Sequence, residues 1–233
     1  MKTALITGGT GGLGRALAPL LIARGYQLGI TYLIPAEAET LETELQPDPD
    51  QVLLRRVDSS DPEAVTAFAK DAAERFGSID ALVALVGGWA GGTDVEDTDD
   101  VRFERMLDLN LRSTFYSVRA VLPYLREVGK GRIVTVGSRA AIDNPYGQAA
   151  FNVAKAGVVA LTKSVANELR GTEITANALL PSVIDTPATR EAMPYADYVD
   201  WPTPAEIAGV IAFMLSDEAA VMNGATVPVY GNT

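Results

Sequence analysis

The sequence contains no cysteine and no histidine in 233 residues. Without cysteine there is no disulfide, no thiolate nucleophile and no zinc–thiolate site, which fits a cytoplasmic protein. Without histidine the usual general base and the commonest metal ligand are gone, so no metal site is expected and proton chemistry falls to Tyr, Lys, Ser, Asp or Glu. Long apolar runs are lacking too. None approaches the ~20 residues needed to cross a bilayer, and no signal peptide is expected ahead of the first apolar segment. Positive charge is in deficit: 19 Lys and Arg against 30 Asp and Glu give a net charge of −11. That argues against nucleic acid and anionic membranes as partners, because binding by counterion release needs clustered Lys and Arg. What remains is an ordinary globular composition, 48% hydrophobic and 21% charged, in a chain long enough for one large α/β domain over residues 1–233.

The most informative stretch comes early. Ala4-Leu5-Ile6 is an apolar run of strand length, Thr7-Gly8-Gly9-Thr10-Gly11-Gly12-Leu13-Gly14 is a glycine turn, and Arg15 to Arg24 is helix-forming. A strand, a glycine turn and a helix in that order gather backbone N–H groups at a helix N-terminus. Those unpaired donors and the positive end of the helix dipole suit a phosphate or pyrophosphate. Glycine permits close backbone approach and positive φ.

Strand-like and helix-like segments alternate along the rest of the chain. Strands are expected over 28–32, 52–57, 81–86, 133–136, 174–180 and 226–229. Helices are expected over 36–45, 61–76 (Asp61 as N-cap, Pro62 at N1, a stop at Gly77), 101–127 with a bend at Pro123, 149–170 and 206–215. Short connections between alternating β and α elements predict a doubly wound parallel sheet of about seven strands with helices on both faces. Ligands bind at the carboxyl ends of such strands. Residues 181–204 hold four prolines and no clear periodicity, and form the expected substrate lid.

The motifs together resemble the short-chain dehydrogenase/reductase family. They are Thr7-Gly8-x-x-x-Gly12-Leu13-Gly14, Asp58 after the third strand, Asn110 in Leu107-Asp-Leu-Asn-Leu, Ser138 after the fifth strand, Lys155 in Ala154-Lys-Ala-Gly, and Pro181 with Thr186-Pro187 after the sixth. The resemblance implies a Rossmann-type fold and NAD(P)-dependent hydride transfer on a small molecule. It implies cofactor contacts from Gly8, Thr10, Gly12, Leu13 and Gly14 around the pyrophosphate, from Tyr32, Asp58, Ser59 and Gly87 along the crevice, and from Lys155. Pro181, Val183, Ile184 and Thr186 would hold the nicotinamide carboxamide. Ser138, Lys155 and Asn110 are the implied catalytic set, with Asn110 supporting Lys155 through a water.

Three positions depart from the family. The usual Asn-Asn-Ala-Gly after the fourth strand is Ala84-Leu-Val-Gly87, and the proline-glycine after the sixth is Pro181-Ser182. The third matters most. The family's tyrosine stands four residues before its lysine, and here that residue is Phe151. A four-residue offset keeps Phe151 and Lys155 on one helix face, so the geometry is retained and the proton-donating hydroxyl is lost.

Three readings of Phe151 stand side by side: a laboratory Tyr→Phe replacement, a substrate that hardly needs enzymic protonation, or a dinucleotide-binding scaffold without turnover. Gly87-Gly-Trp-Ala-Gly-Gly92 and residues 185–197 resemble the dihydropteridine reductase branch, whose quinonoid substrate accepts hydride readily. Tyr146, Tyr195 and Tyr198 are the alternative phenols. Tyr32 stands where a carboxylate usually selects NAD, which tilts the expectation to NADP with Arg15 or Arg55 on the 2′-phosphate. A helix 149–170 that is apolar on more than one face predicts a homo-oligomer, dimer or tetramer.

Overall fold

The first strand ends in glycines because the chain must turn there without side chains in the way. In the computed structural model, which describes residues 1–232, strand β1 (Lys2–Thr7) runs into helix α1 (Gly12–Ala23) through this turn. Gly8 has φ +70, and a Cβ on it would lie 2.8 Å from Val86 Cγ2. A Cβ on Gly14 would lie 2.2 Å from the Gly9 carbonyl oxygen, so the helix packs on the turn only with glycine there.

The remaining elements follow in alternation: β2 (Tyr26–Tyr32), α2 (Pro35–Leu45), β3 (Val52–Arg56), α3 (Pro62–Phe76), β4 (Ala81–Ala84), α4 (Asp100–Met106), α5 (Ser113–Val128), β5 (Lys130–Val136), α6 (Ala140–Asp143), α7 (Ala149–Glu168), β6 (Glu173–Pro181), α8 (Pro187–Ala192), α9 (Pro204–Met214) and β7 (Thr226–Val229). The seven strands form one parallel sheet in the order β3-β2-β1-β4-β5-β6-β7. The order reverses between β1 and β4, where the pairing Thr7↔Ala84 brings the two carboxyl ends side by side. That is the switch point at which a ligand crevice opens.

Two apolar layers hold the sheet. Leu17 and Leu21 of α1 with Ile207 and Ile211 of α9 cover one face over Ile6, Leu28 and Ile30. Phe68 of α3, Val121 and Leu125 of α5 and Val165 of α7 cover the other over Leu5, Leu82 and Ile133. Strands buried on both faces explain the continuous apolar runs, β4 being Ala-Leu-Val-Ala with every residue buried.

The expected elements stand within a few residues of their observed bounds, and three features differ. The helix expected over 101–127 is interrupted: α4 passes through a π-helical segment, Leu107–Arg112, before continuing as α5. The break in the helical ladder falls there rather than at Pro123, which sits inside α5. The short helices α6 and α8 were not expected. Helix α8 lies within 181–204 and is begun by a Thr186 capping box with Pro187 in its first turn.

Helix α3 is capped as its sequence predicts, the Asp61 carboxylate accepting from the N–H of Glu63 and Ala64 at 2.9 and 3.2 Å. Asp61→Ala removes this cap and is expected to cost about 1 kcal/mol, lowering Tm by about 2–4 °C in a chain of this size. Thermal unfolding followed by circular dichroism checks this; an unchanged Tm contradicts it.

Candidate active site

A crevice of about 920 Å³ opens at the switch point. Its floor is the glycine turn, its sides are the chain after β2, β3 and β4, and helix α4 overhangs it. Of the residues expected to bind cofactor, Gly8, Thr10, Tyr32, Asp58, Ser59 and Gly87 line it. Others meet it indirectly. A Cβ on Gly12 would lie 3.3 Å from Thr186 Cγ2, so the chain after β6 closes against the turn. Leu13 and Ile184 pack into the apolar layer under α1 and α9. Gly14 serves the contact of α1 with Gly9, and Val183 is half-buried. The hydroxyl of Thr186 is engaged in capping α8 through Thr189, and the carbonyl of Pro181 accepts from the Arg139 N–H at 2.9 Å.

The turn is oriented by a residue sequence reading passed over. Thr31 Oγ1 accepts from the Gly8 N–H at 2.9 Å, and the Thr31 carbonyl accepts from the Gly9 N–H. Helix α1 has no side-chain cap at Gly11, which lines the crevice, so its first-turn N–H groups are left without a side-chain acceptor and suit an anion there. Asp58, at the end of β3, accepts from the hydroxyl and N–H of Ser60, which together hold its carboxyl below the usual range. A dinucleotide fits this arrangement: a tight turn in which a Cβ at Gly8 would collide with Val86 across the crevice floor, an uncapped helix, and acceptors spaced along the crevice.

At the far end of the crevice three residues meet. A Cβ on Gly87 would lie 2.9 Å from Asn110 Oδ1 and 3.1 Å from Lys155 Nζ. The π-helical segment creates this convergence. It lets Asn110 Nδ2 donate to the Met106 carbonyl at 3.1 Å and to the Gly88 carbonyl at 3.0 Å, while Asn110 Oδ1 accepts from the Gly88 N–H at 3.1 Å. Lys155, buried on α7, donates to the carbonyl of Val136 at the end of β5, at 2.9 Å. Ser138 follows two residues later, its Oγ accepting from the Ala140 N–H at 3.1 Å. Phe151 lies one turn before Lys155. It is buried among Met106, Ala140 and Ala150, and the Lys155 ammonium is 5.9 Å from its ring centroid.

The other phenols point elsewhere. Tyr146 is 87% exposed and hydrogen-bonded to Asp94, which pushes its pKa up. Tyr195 is fully exposed, and Tyr198 lies under the Arg190 guanidinium at 4.2 Å, with Arg190 paired to Asp185. Trp89, in the loop after β4, is 64% exposed, yet its orientation is fixed because Nε1 donates to Gln148 Oε1 at 2.7 Å. The same loop is tied down by Gly92 and Thr93, whose N–H groups donate to the Gly147 carbonyl.

The cations expected for a 2′-phosphate are committed away from the crevice. Arg15 Nε lies 3.7 Å from Glu44, and Arg55 Nη2 lies 2.8 Å from Asp71. A carboxylate that sequence reading missed stands in the crevice instead: Glu37 Oε2 accepts from Thr10 Oγ1 at 2.9 Å. No local pattern marks Glu37, since its partner is 27 residues away in sequence. Among the described residues no group of three or more His, Cys, Asp or Glu is placed to hold a metal ion, and no helix is long and apolar enough to cross a membrane.

Fold and crevice define a Rossmann-like α/β protein built to hold a nucleotide at its switch point. The profile of the short chain dehydrogenase family matches residues 2–196, and the chain belongs to that family. It is 34% identical to the levodione reductase of Leifsonia aquatica, over 99% of this chain and 93% of the relative. It is 33% identical to the 2-dehydro-3-deoxy-L-rhamnonate dehydrogenase (NAD(+)) of Sphingomonas sp. (strain SKA58), over 99% and 94%. A solved short-chain dehydrogenase/reductase from Serratia marcescens BCRC 10948 superposes with a TM-score of 0.91 at 29% identity, covering 99% of this chain and 96% of that one.

Burial holds the Lys155 pKa down at about 8 against an ordinary 10.5. Between those values the unfolded chain binds more protons than the folded one, so the stability of the fold rises with pH through that window. Below it the full cost of the buried ammonium remains, up to about 3 kcal/mol. Lys155→Met removes the group and is expected to flatten the rise. Tm measured from pH 8 to pH 10 on both chains checks this, and parallel slopes contradict it.

Proposed function

We propose that the chain is an NAD(P)-dependent short-chain oxidoreductase that transfers hydride to a small carbonyl or quinonoid substrate. The observation that carries this reading is the meeting of Asn110, Gly87 and Lys155 at one end of a crevice whose other end is the glycine turn. The dinucleotide, when bound, supplies the hydride. Gly8, Thr10, Asp58 and Ser59 bind it along the crevice, and residues 181–204 close over the substrate as a lid. The closing of Thr186 against Gly12 supports that placement.

The chain's own residues then manage charge rather than protons. Hydride addition to a carbonyl carbon leaves an alkoxide. The Ser138 hydroxyl donates to that oxygen, and the Lys155 ammonium, positioned by the Val136 carbonyl, lowers the energy of negative charge nearby. Phe151 stands where the family's tyrosine would donate a proton, so the proton arrives from solvent at the open mouth. Such a site suits an acceptor that takes hydride readily. The exposed, fixed indole of Trp89 offers a flat one a stacking surface. Self-association through α5 and α7 fits the outward-facing Phe115 and Val153.

Phe151 also favours a second reading, a dinucleotide-binding protein without turnover. Titration of the purified protein with NADH and NADPH by fluorescence tests the binding, and failure to bind either sinks both readings. Assay across carbonyl and quinonoid compounds separates them, because measurable oxidation eliminates the scaffold. Phe151→Tyr is expected to raise carbonyl reduction by about 10²-fold or more, the usual worth of a general acid. An unchanged rate contradicts the role given to Phe151.

A further inference from the structure

The family's proline-glycine after the sixth strand is Pro181-Ser182 in this chain, and the serine hydroxyl that glycine would lack is engaged. Ser182 Oγ donates to the Tyr230 carbonyl, just beyond β7, at 2.8 Å. The bond falls where the sheet lets go of the chain. The ladder between β6 and β7 ends at the pair Pro181↔Val229. Beyond it the Ser182 N–H reaches the Val229 carbonyl at 3.3 Å, long for such a bond. The hydroxyl supplies the shorter tie.

The acceptor is itself fixed. The Tyr230 ring packs beside Val159, Ala178 and Leu180, with the Arg139 guanidinium 5.1 Å from its centroid. The next residue, Gly231, lies so close to the far end of 181–204 that a Cβ on it would stand 2.1 Å from the Asp200 carbonyl oxygen. The Asn232 N–H donates to that same carbonyl at 3.2 Å. The short stretch from Tyr230 to Asn232 therefore holds both feet of the segment, Ser182 at the entry and Asp200 at the exit. Between the feet, α8 buries none of its residues. Val183 and Ile184 hang between two ties: the Ser182 hydroxyl before them, and after them the Asp185 N–H, which donates to the Pro202 carbonyl at 3.0 Å.

We propose that Ser182 is a positioning residue. Its hydroxyl latches the entry foot to Tyr230 and so sets Val183 and Ile184 for the nicotinamide end of a bound dinucleotide. The inference rests on the oxidoreductase reading above and deepens it. Glycine at 182 would leave the backbone the widest choice of φ and ψ as it departs the strand. Serine narrows that choice, and the hydroxyl bond selects within it. Order already present in the free protein is a cost that binding does not have to meet. The adenosine half of the ligand gains nothing from the latch, because the chain after β2 and β3 lines the other end of the crevice.

Two variants and two measurements test this. Ser182→Ala removes the hydroxyl, and Ser182→Thr keeps one. In the ligand-free protein, amide hydrogen exchange over residues 182–189 is expected to be about threefold to tenfold faster in Ser182→Ala, the effect of losing one hydrogen bond. Ser182→Thr is expected to stay within about twofold of the parent. Calorimetry then compares NADH and NADPH with ADP-ribose and its 2′-phosphate, which lack the nicotinamide. Ser182→Ala is expected to weaken the dinucleotide about threefold to tenfold and to leave the matching ADP-ribose compound unchanged. General loosening of the fold does not produce that split. Unchanged exchange in Ser182→Ala overturns the proposal, as does Ser182→Thr behaving like Ser182→Ala. Dinucleotide and ADP-ribose compound weakened alike, or neither weakened, overturns it too while leaving the oxidoreductase reading in place. Failure of both dinucleotides to bind the parent overturns that reading itself and the proposal with it.

Discussion

A buried ammonium with one carbonyl for support organises this end of the molecule. Lys155 reaches from α7 to the last carbonyl of β5, and its nitrogen lies beside Gly87, just beyond β4. A charge so enclosed is tolerated only where polar atoms converge on it. That requirement constrains three elements together. Residue 87 is glycine, where a Cβ would crowd both the Lys155 nitrogen and Asn110 Oδ1, Asn110 approaches the same point from the neighbouring helix, and α7 stands where Lys155 reaches the Val136 carbonyl. The π-helical segment serves the same need, since it turns Asn110 inward and satisfies its amide on Met106 and Gly88.

Much of the fold was legible because its signals are local. Asp61-Pro62 before an apolar period and Gly77 after it mark α3 at both ends, and the observed caps agree. The apolar run 81–86 reads as a strand buried on both faces, although the ladder ends at Ala84 because the chain leaves the sheet to enter the crevice. The π-helical segment was not legible. Leu107–Arg112 contains neither glycine nor proline, and the bonds that Asn110 makes from it, to Gly88 and Met106, include a tertiary partner 22 residues away that no local pattern marks. Thr186-Pro187 did carry a helix-start signature, hidden within a stretch whose prolines suggested none.

The site divides the same way. The glycine turn announced itself by composition and landed in the crevice. The role of Thr31 in holding that turn, and the direction of the Glu37 carboxylate, follow from contacts between residues more than twenty positions apart. Expectations resting on Arg15 and Arg55 assumed that an arginine near the right strand reaches the ligand. In the structure each is paired with a carboxylate, Arg15 with Glu44 and Arg55 with Asp71. Phe151 was visible as a missing hydroxyl. Its surroundings show that the ring is not a vacancy in the design: it fills an apolar pocket with Met106 and Ala140 and presents its face to the Lys155 cation.

The ties between the loop after β4 and the start of α7 have a mechanical consequence. Trp89 is bonded to Gln148, the N-cap residue of α7, and Gly92 and Thr93 are bonded to Gly147 just before it. The loop after β4 and the residues that begin the helix carrying Phe151 and Lys155 are therefore joined by three hydrogen bonds, so a substitution at Gln148 reaches both the indole and the helix start.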